Sequence, residues 1–247
     1  DDAASLDLAR AGGPDTWLAR LAAGAEEWML RREALDALAA RDAEGWPRLA
    51  AEALGDDVPR VRAHALSLLR RVPHDAEDPV FLRMAALARR DSWPRVRAAG
   101  VAAIVGTPAG LPVVRAALSD PSRDVREAAV RALTEAPDDD PDASWPRVRA
   151  RLADEDEFPA VVMAAANYAA VRCRGDALEA FGPVLDRALR PTPWSPDVDA
   201  AVVAIEAAGA LGGPGADALL TRAEAATAPP SLRAAAHRAR RRGARCP

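Results

Sequence analysis

The hydrophobic positions of this chain recur with the period of an amphipathic α-helix over most of its length. After Val61, apolar residues follow at positions 65, 68, 69 and 72, and after Val125 they follow at positions 129, 132 and 133. Apolar residues at this spacing give a helix one buried face. The pattern therefore predicts a chain built from helices.

The predicted helices come in pairs joined by short turns. Three clear pairs are residues 46–54 with 58–72, residues 80–89 with 93–107, and residues 111–118 with 124–136. The turns between the partners read "GDD" at 55–57, "RDS" at 90–92 and "SDPS" at 119–122, and such residues end one helix and cap the next. A short turn between two helices predicts that they pack antiparallel.

One apolar residue near the start of each second helix, which we call the anchor, recurs about every 34 residues. Pro stands two positions before it in five of the seven cases, and Arg directly follows it in five of the seven. This recurrence predicts one repeat domain over residues 1–247, with units at about 16–42, 45–73, 78–107, 110–136, 143–173, 176–212 and 215–244. The anchors are Leu30, Val61, Val96, Val125, Val161, Val198 and Leu232.

The heptapeptide "SWPRVRA" occurs twice, at 92–98 and at 144–150, and the separation of 52 residues is about one and a half repeats. Pro suits the first position of a helix, and it forces the residue before it into an extended conformation. We therefore predict that the first copy opens the second helix of one unit. The second copy is expected to open the first helix of another.

Composition supports an all-α chain and removes two classes of enzyme. Half of the residues are hydrophobic, with Ala the commonest, and only 4% are aromatic, which disfavours β-sheets. All 33 basic residues are Arg. The absence of Lys from the sequence excludes Schiff-base catalysis and the Walker phosphate loop, because both need that side chain.

The net charge of −4 argues against non-specific binding of nucleic acid. No apolar run approaches the roughly 18 residues of a membrane span, so a transmembrane helix is not expected. The cytoplasm is the favoured location, although export stays open because the chain begins at Asp1 without Met.

Two cysteines, Cys173 and Cys246, fall about two helix layers apart in the repeat scheme, or roughly 20 Å. A disulfide requires Cα atoms within about 7 Å. We expect two free thiols unless the tail of the chain folds back.

The segment "LSDPSRDVREAAVRALTEA" at 118–136 closely resembles the HEAT-repeat family, in particular its short bacterial HEAT-like repeats. "LGDDVPRVRAHALSLL" and "ARRDSWPRVRAAGVAAI" show the same loop Asp, Val-Arg pair and Ala-rich helix. The resemblance extends from about residue 16 to residue 244. It implies a right-handed α-solenoid of about seven antiparallel helix pairs, whose second helices line a concave, partner-binding face.

The same resemblance implies a structural ladder of charged residues that links neighbouring units through hydrogen bonds. Asp in each loop would accept hydrogen bonds from the Arg that follows an anchor. Asp154 is a further loop candidate. The expected ladder residues are Asp56, Arg62, Asp91, Arg97, Asp120 and Arg126.

Six tryptophans, at positions 17, 28, 46, 93, 145 and 194, lie near the predicted helix starts. Either they fill space in the packing at the turns, or they are aromatic contact residues for a partner along one edge, and both interpretations stay open. Trp and Arg dominate binding hot spots. Second-helix positions that face away from the core then indicate the partner-binding candidates, which are Trp28, Arg32, Arg60, His64, Arg71, Arg95 and Arg131.

These patterns predict a non-catalytic interaction scaffold, monomeric and without a cofactor, that binds a protein through its concave face or its Trp-bearing edge. The three His and two Cys lack metal-ligand spacing, so no metal site is expected. An alternative comes from "EEWMLRREAL" at 26–35, which resembles helix openings in HEAT-like alkylpurine DNA glycosylases. A phycobilin lyase-like accessory subunit is a further alternative, and a nucleic-acid partner is disfavoured by charge.

Overall fold

The computed structural model describes residues 13–136, 140–190 and 197–246. These residues form fourteen α-helices and two short 3-10 helices, at Pro108–Gly110 and Gly175–Ala177, and no strand occurs among them. The first seven helices are α1 (Asp15–Gly24), α2 (Trp28–Ala40), α3 (Trp46–Ala53), α4 (Pro59–Leu69), α5 (Pro79–Arg90), α6 (Pro94–Ile104) and α7 (Leu111–Ala117). The remaining seven are α8 (Arg123–Glu135), α9 (Pro141–Ala153), α10 (Pro159–Val171), α11 (Leu178–Leu189), α12 (Asp197–Leu211), α13 (Gly213–Ala223) and α14 (Pro230–Arg242). The predicted all-α solenoid class is confirmed.

The chain divides into two compact units, Asp1–Ala117 and Leu118–Pro247. Within the first unit, α1 packs on α2, α3 on α4 and α5 on α6, while the second helices α2, α4 and α6 pack side by side. Within the second unit, α9 packs on α10, α11 on α12 and α13 on α14, while α8, α10, α12 and α14 pack side by side. Each unit is thus a stack of helix pairs with a layer of second helices.

Six of the seven anchors are buried in the core, whereas Val198 is half-buried. Val61, Val96, Val125 and Val161 are fully buried, each near the start of its second helix. Their helices begin where the sequence predicts, because a Pro or a turn residue directly precedes the apolar stripe. Burial of each such side chain stabilises the fold by about 1.5 to 3 kcal/mol.

The first "SWPRVRA" opens a second helix, as predicted. Pro94 is the first residue of α6, and Trp93 before it is extended, with φ −94° and ψ 122°. The backbone N–H of the first residue of a helix has no partner within the helix, so a Pro at that position removes no helical hydrogen bond. The extended Trp93 consequently lies outside the regular helical stripe.

The second "SWPRVRA" does not open a helix, so that prediction is wrong. Helix α9 begins at Pro141, after Asp140, whose side chain accepts a hydrogen bond from the backbone N–H of Asp142. Pro146 therefore lies inside α9. The earlier Asp-Pro pair supplies both a cap and a first-turn Pro, and these start the helix before the heptapeptide is reached.

Helices α5 and α6 approach closely at Gly100. A Cβ atom added there would lie 2.8 Å from the Cα of Ala88, inside normal contact distance. The absence of a side chain at position 100 therefore permits this packing distance.

The two cysteines are not free, which corrects the expectation of two thiols. Cys173 and Cys246 form a disulfide with their Cα atoms 5.4 Å apart. Helix α14 ends at Arg242, and the next residue, Gly243, has a φ of 69°. The tail then turns back so that the backbone N–H groups of Arg245 and Cys246 both donate to the carbonyl of Ala210. The expectation failed because it measured the distance along the helix layers, whereas the tail folds across them.

Candidate functional site

A groove of about 690 Å³ opens on the second helices α2, α4 and α6 of the first unit. We call it the cationic groove. It lies on the side of these helices that faces away from their partners α1, α3 and α5, where side chains one or two turns into each helix project together. Its lining residues are Trp28, Arg32, Pro59, Arg60, Ala63, His64, Ser67, Trp93, Arg95, Val96 and Ala99.

Trp28 at one end of the groove is flanked by two guanidinium groups. The Cζ atom of Arg60 lies 5.1 Å from the centre of the indole ring, and the Cζ atom of Arg32 lies 5.8 Å from it. Both distances fall within the range of cation–π attraction. Arg32 also pairs with Glu33, its neighbour in the sequence.

Trp93 lies at the other end of the groove and is 48% exposed. As the extended residue before Pro94, it does not join the buried stripe of α6. Arg95 follows one residue after that Pro and is also exposed. An exposed indole ring and an exposed guanidinium group in one groove are residue types that binding hot spots use.

His64 lines the groove between the two tryptophans. Burial lowers its pKa and so does the positive charge of Arg32, whereas Asp36 acts in the opposite direction with its Oδ1 3.1 Å from Nε2. That contact lacks hydrogen-bond geometry. His64 is therefore neutral at pH 7, and the arginines supply the charge of the groove.

The groove is a positive region on a chain of net charge −4. It contains three Arg, and of the described residues that line it none is Asp or Glu. Arg60 and Arg95 form no ion pair within the described ranges. Two exposed guanidinium groups without carboxylate partners thus share the groove with two indole rings.

The sequence matches one family model, the HEAT repeat, over residues 111–135, which include α7 and α8. Residues 111–135 are thus similar to a HEAT repeat, and the described residues have an all-α repeat fold. The fold resembles YibA from Escherichia coli at 19% identity, covering 98% of this chain and 97% of that one, with a TM-score of 0.53. An engineered protein is similar at 18% identity, covering 96% of this chain and 72% of that one, with a TM-score of 0.51.

Human deoxyhypusine hydroxylase, in complex with glycerol, is 18% identical over 96% of both chains. Its TM-score is 0.41. No curated protein matches the sequence.

The cationic groove brings together five of the seven binding candidates, namely Trp28, Arg32, Arg60, His64 and Arg95. The other two lie elsewhere. Arg71 is exposed beyond the end of α4 and does not line the groove. Arg131 lies on α8 in the second unit and pairs with Glu127 at 2.8 Å.

Trp93 completes the groove but was not among the candidates. The signal that could have identified it was its place in "SWPRVRA", directly before a Pro that opens a helix. A bulky apolar residue held extended before a helix leaves the buried stripe and tends to be exposed.

Between helix pairs of the first unit, arginines connect successive turns. Arg31 donates to both carboxylate oxygens of Asp56, at 2.7 and 2.8 Å, and Arg62 does the same to Asp91, at 2.8 and 3.0 Å. The remaining nitrogen of Arg62 donates to the carbonyl of Asp56 at 2.9 Å. Each guanidinium group is thus shared between its own turn and the carboxylate of the next one.

Burial alone would raise the pKa of Asp56, but the hydrogen bonds from Arg31 and from the backbone N–H of Val58 outweigh it, so the pKa is lowered. Arg97 donates to the carbonyl of Asp91 at 2.8 Å. Asp120 caps its own turn by accepting from the backbone N–H of Ser122 at 2.8 Å.

In the second unit Arg126 pairs with a carboxylate that was not among the expected ladder residues. It donates to both oxygens of Glu157, at 2.9 and 2.6 Å, and its third nitrogen donates to the carbonyl of Asp120 at 2.8 Å. Asp154 instead caps its own turn through the backbone N–H of Asp156. Glu157 lies one residue closer to its anchor than Asp56 and Asp91 lie to theirs, and its longer side chain reaches the guanidinium group from there.

The tryptophans of first helices differ from those of the groove. Trp46 and Trp145 are buried, and their Nε1 atoms donate to Asp42 at 2.9 Å and Asp176 at 2.7 Å. These two side chains fill space in the packing of their helix pairs. Trp17 is half-buried, and Trp194 lies outside the described residues.

Metal ligands do not gather in the part of the chain that the structure describes, where no three His, Cys, Asp or Glu side chains could hold an ion together. None of the described helices combines the length and apolar character needed to span a membrane.

Proposed function

We propose that this protein is a non-catalytic interaction module that binds a protein partner in the cationic groove. HEAT repeats generally mediate protein interaction. The observation that supports this site is that Trp28, Trp93 and the arginines without carboxylate partners, Arg60 and Arg95, line one groove.

Trp and Arg account for a large share of hot-spot residues, and removing one typically costs 2 kcal/mol or more of binding free energy. The groove residues lie on three helices whose buried faces are packed in the core, so the binding surface is held rigid before a partner arrives. Such preorganisation reduces the entropy lost on binding.

The test compares partner capture by three forms of the full chain from an extract of the native cells, quantified by mass spectrometry. The forms are the wild type, the Trp28→Ala/Trp93→Ala double variant and the control Arg123→Ala/Phe158→Ala. The control removes another exposed cation–π pair, 4.4 Å apart, from the second unit.

We expect the groove variant to capture at least about tenfold less of a specific partner, since each indole side chain contributes about 2 kcal/mol of binding free energy. The control should retain that partner, and matching thermal unfolding curves should show that all three forms are folded. Equal capture by the groove variant and the wild type would contradict the proposed site.

DNA binding is a second candidate, because Trp28 and Arg32 of the segment that resembles DNA glycosylases both line the groove. Arg31 of the same segment points elsewhere, since it is hydrogen-bonded to Asp56. The described residues offer no observation that favours the phycobilin lyase alternative.

A further inference from the structure

We propose that the cationic groove recognises an acidic, extended segment of the partner, in which carboxylates two or three residues apart flank an apolar side chain. This inference rests on the proposed function and names the chemistry of the partner. It is carried by three observations, which are the charge of the groove, the packing of the two helices that carry Arg60 and Arg95, and the apolar surface between these residues.

The first observation is charge. Arg60 and Arg95 lack carboxylate partners in the described ranges, and Arg32 is only partly neutralised by Glu33. His64 adds no charge at pH 7, because burial lowers its pKa. Arg can bind a carboxylate through two parallel hydrogen bonds, so an acidic side chain is the group that these free guanidinium groups fit best.

The second observation is spacing. Arg60 and Arg95 each directly precede the anchor of their helix, and α4 and α6 pack side by side. Neighbouring helices lie about 8 to 10 Å apart, which sets the distance between equivalent positions. An extended chain advances about 3.3 Å per residue, so two carboxylates two or three residues apart span about 7 to 10 Å. One extended segment can therefore reach both arginines.

The third observation is the apolar surface between the charges. Ala63, Val96 and Ala99 line the groove, with Trp28 and Trp93 at its ends. Small side chains leave room for a larger apolar side chain of the partner, which the indole rings would cover. An acidic segment with Leu or a similar residue between its carboxylates satisfies both the charged and the apolar parts.

The positive positions are too few for a nucleic-acid track. Of the residues directly before the seven anchors, only Arg60 and Arg95 are basic. The others include two acidic residues and are Met29, Asp124, Ala160, Asp197 and Ser231. A duplex gains its affinity from many phosphate contacts, whereas a short acidic segment needs only the two or three arginines present.

The experiment measures binding of two fluorescein-labelled peptides, GSELEELESG and GSQLQQLQSG, to the full chain by fluorescence anisotropy. The proteins are the wild type, Arg60→Ala, Arg95→Ala and the control Arg123→Ala from the second unit. A 12-base-pair DNA duplex with the same label is the competing probe, and salt is varied from about 50 to 500 mM.

We expect the Glu peptide to bind at least about tenfold more tightly than the Gln peptide at low salt, with the difference shrinking at high salt. Arg60→Ala and Arg95→Ala should each weaken the Glu peptide about tenfold, because each removes a charge-assisted contact. Arg123→Ala should leave the affinity unchanged.

Three results would overturn the inference. Equal affinity for the two peptides would show an apolar groove, and no binding at about 1 mM would show that acidic segments are not recognised. Arg60-dependent binding of the duplex in preference to the Glu peptide would identify nucleic acid as the occupant. In the first two cases the proposed function still stands if partner capture depends on Trp28 and Trp93.

Discussion

At the scale of single residues, the ion pair between Arg126 and Glu157 is the most enclosed of those described here. The side chain of Glu157 is fully buried and that of Arg126 is 12% exposed. Glu157 also accepts from the backbone N–H of Phe158 at 2.9 Å and contacts Arg151. Removing one charge from such a pair leaves the other buried without compensation.

Glu157→Gln should lower the free energy of unfolding by about 3 kcal/mol, because it leaves Arg126 without its charged partner. The matched control is Glu179→Gln, which breaks an ion pair with Arg149 in the same unit where the Glu179 side chain is 79% exposed. The control should cost less than about 1 kcal/mol. Urea unfolding of the three proteins measures both values, and similar losses would contradict the role assigned to Glu157.

The same residue predicts how stability depends on pH. Burial works to raise the pKa of Glu157, but the hydrogen bond from Arg126, helped by the backbone N–H of Phe158, brings it below the usual 4.5. The stabilisation is complete above the unfolded pKa and is lost as pH falls through the lower folded pKa, because the unfolded chain takes up the proton first. Between pH 5 and pH 3 the wild type should therefore lose more stability than Glu157→Gln, measured by urea unfolding at each pH. Parallel curves would refute this.

At the scale of elements, the crossing of α5 and α6 depends on the glycine at position 100. Gly100→Ala should destabilise the protein by about 1 to 3 kcal/mol, because the new methyl group would overlap the backbone of Ala88. Gly24→Ala is the control, since nothing lies within 4 Å of a Cβ atom added there. It should be neutral or slightly stabilising, because Ala favours helices over Gly. Thermal melts of both variants distinguish these outcomes, and a stabilised Gly100→Ala would show that the two helices are not held so close.

The C-terminal tail is the second element whose position carries a prediction. The disulfide joins residues 73 apart in the sequence, so it restricts the unfolded chain strongly. Cys246→Ser, or reduction of the wild type, should lower the free energy of unfolding by about 4 kcal/mol. Chemical denaturation with and without reductant measures this loss.

Thiol labelling under denaturing, non-reducing conditions provides the independent check, and it should find no free thiol in the monomer. Two labelled thiols would contradict the bond between Cys173 and Cys246. Because disulfides persist mainly in oxidising compartments, labelling of protein taken directly from its native cells also reports on its location.

At the scale of the whole molecule, the distribution of charge separates a protein-binding module from a DNA-binding one. The chain has a net charge of −4, and its free groove arginines are confined to the first unit. We expect no binding of duplex DNA tighter than about 10 μM at physiological salt, and no release of alkylated purines. Anisotropy titrations and a glycosylase assay test this. Excision activity that disappears with Trp28→Ala or Arg32→Ala would reverse the assignment.

The sequence by itself determined the helical class, the repeat and most of the helix starts. These depend on local physics, namely the 3.6-residue apolar period, the Pro before each second helix and the capping residues in the turns. Helix α9 is the exception that follows the same rule, because Asp140 and Pro141 formed a stronger local start than the heptapeptide behind them.

Only the tertiary structure decided which long-range partners meet. Arg126 pairs with Glu157 rather than with Asp154, and Cys246 forms a disulfide with Cys173. Such contacts depend on how turns and tails fold in space and not on sequence spacing. The groove shows the same division. Its arginines were foreseeable from the helical stripe, and the place of Trp93 before Pro94 was a local signal of its exposure. The burial of Trp46 and Trp145, in contrast, follows from packing between helices, which no local pattern encodes.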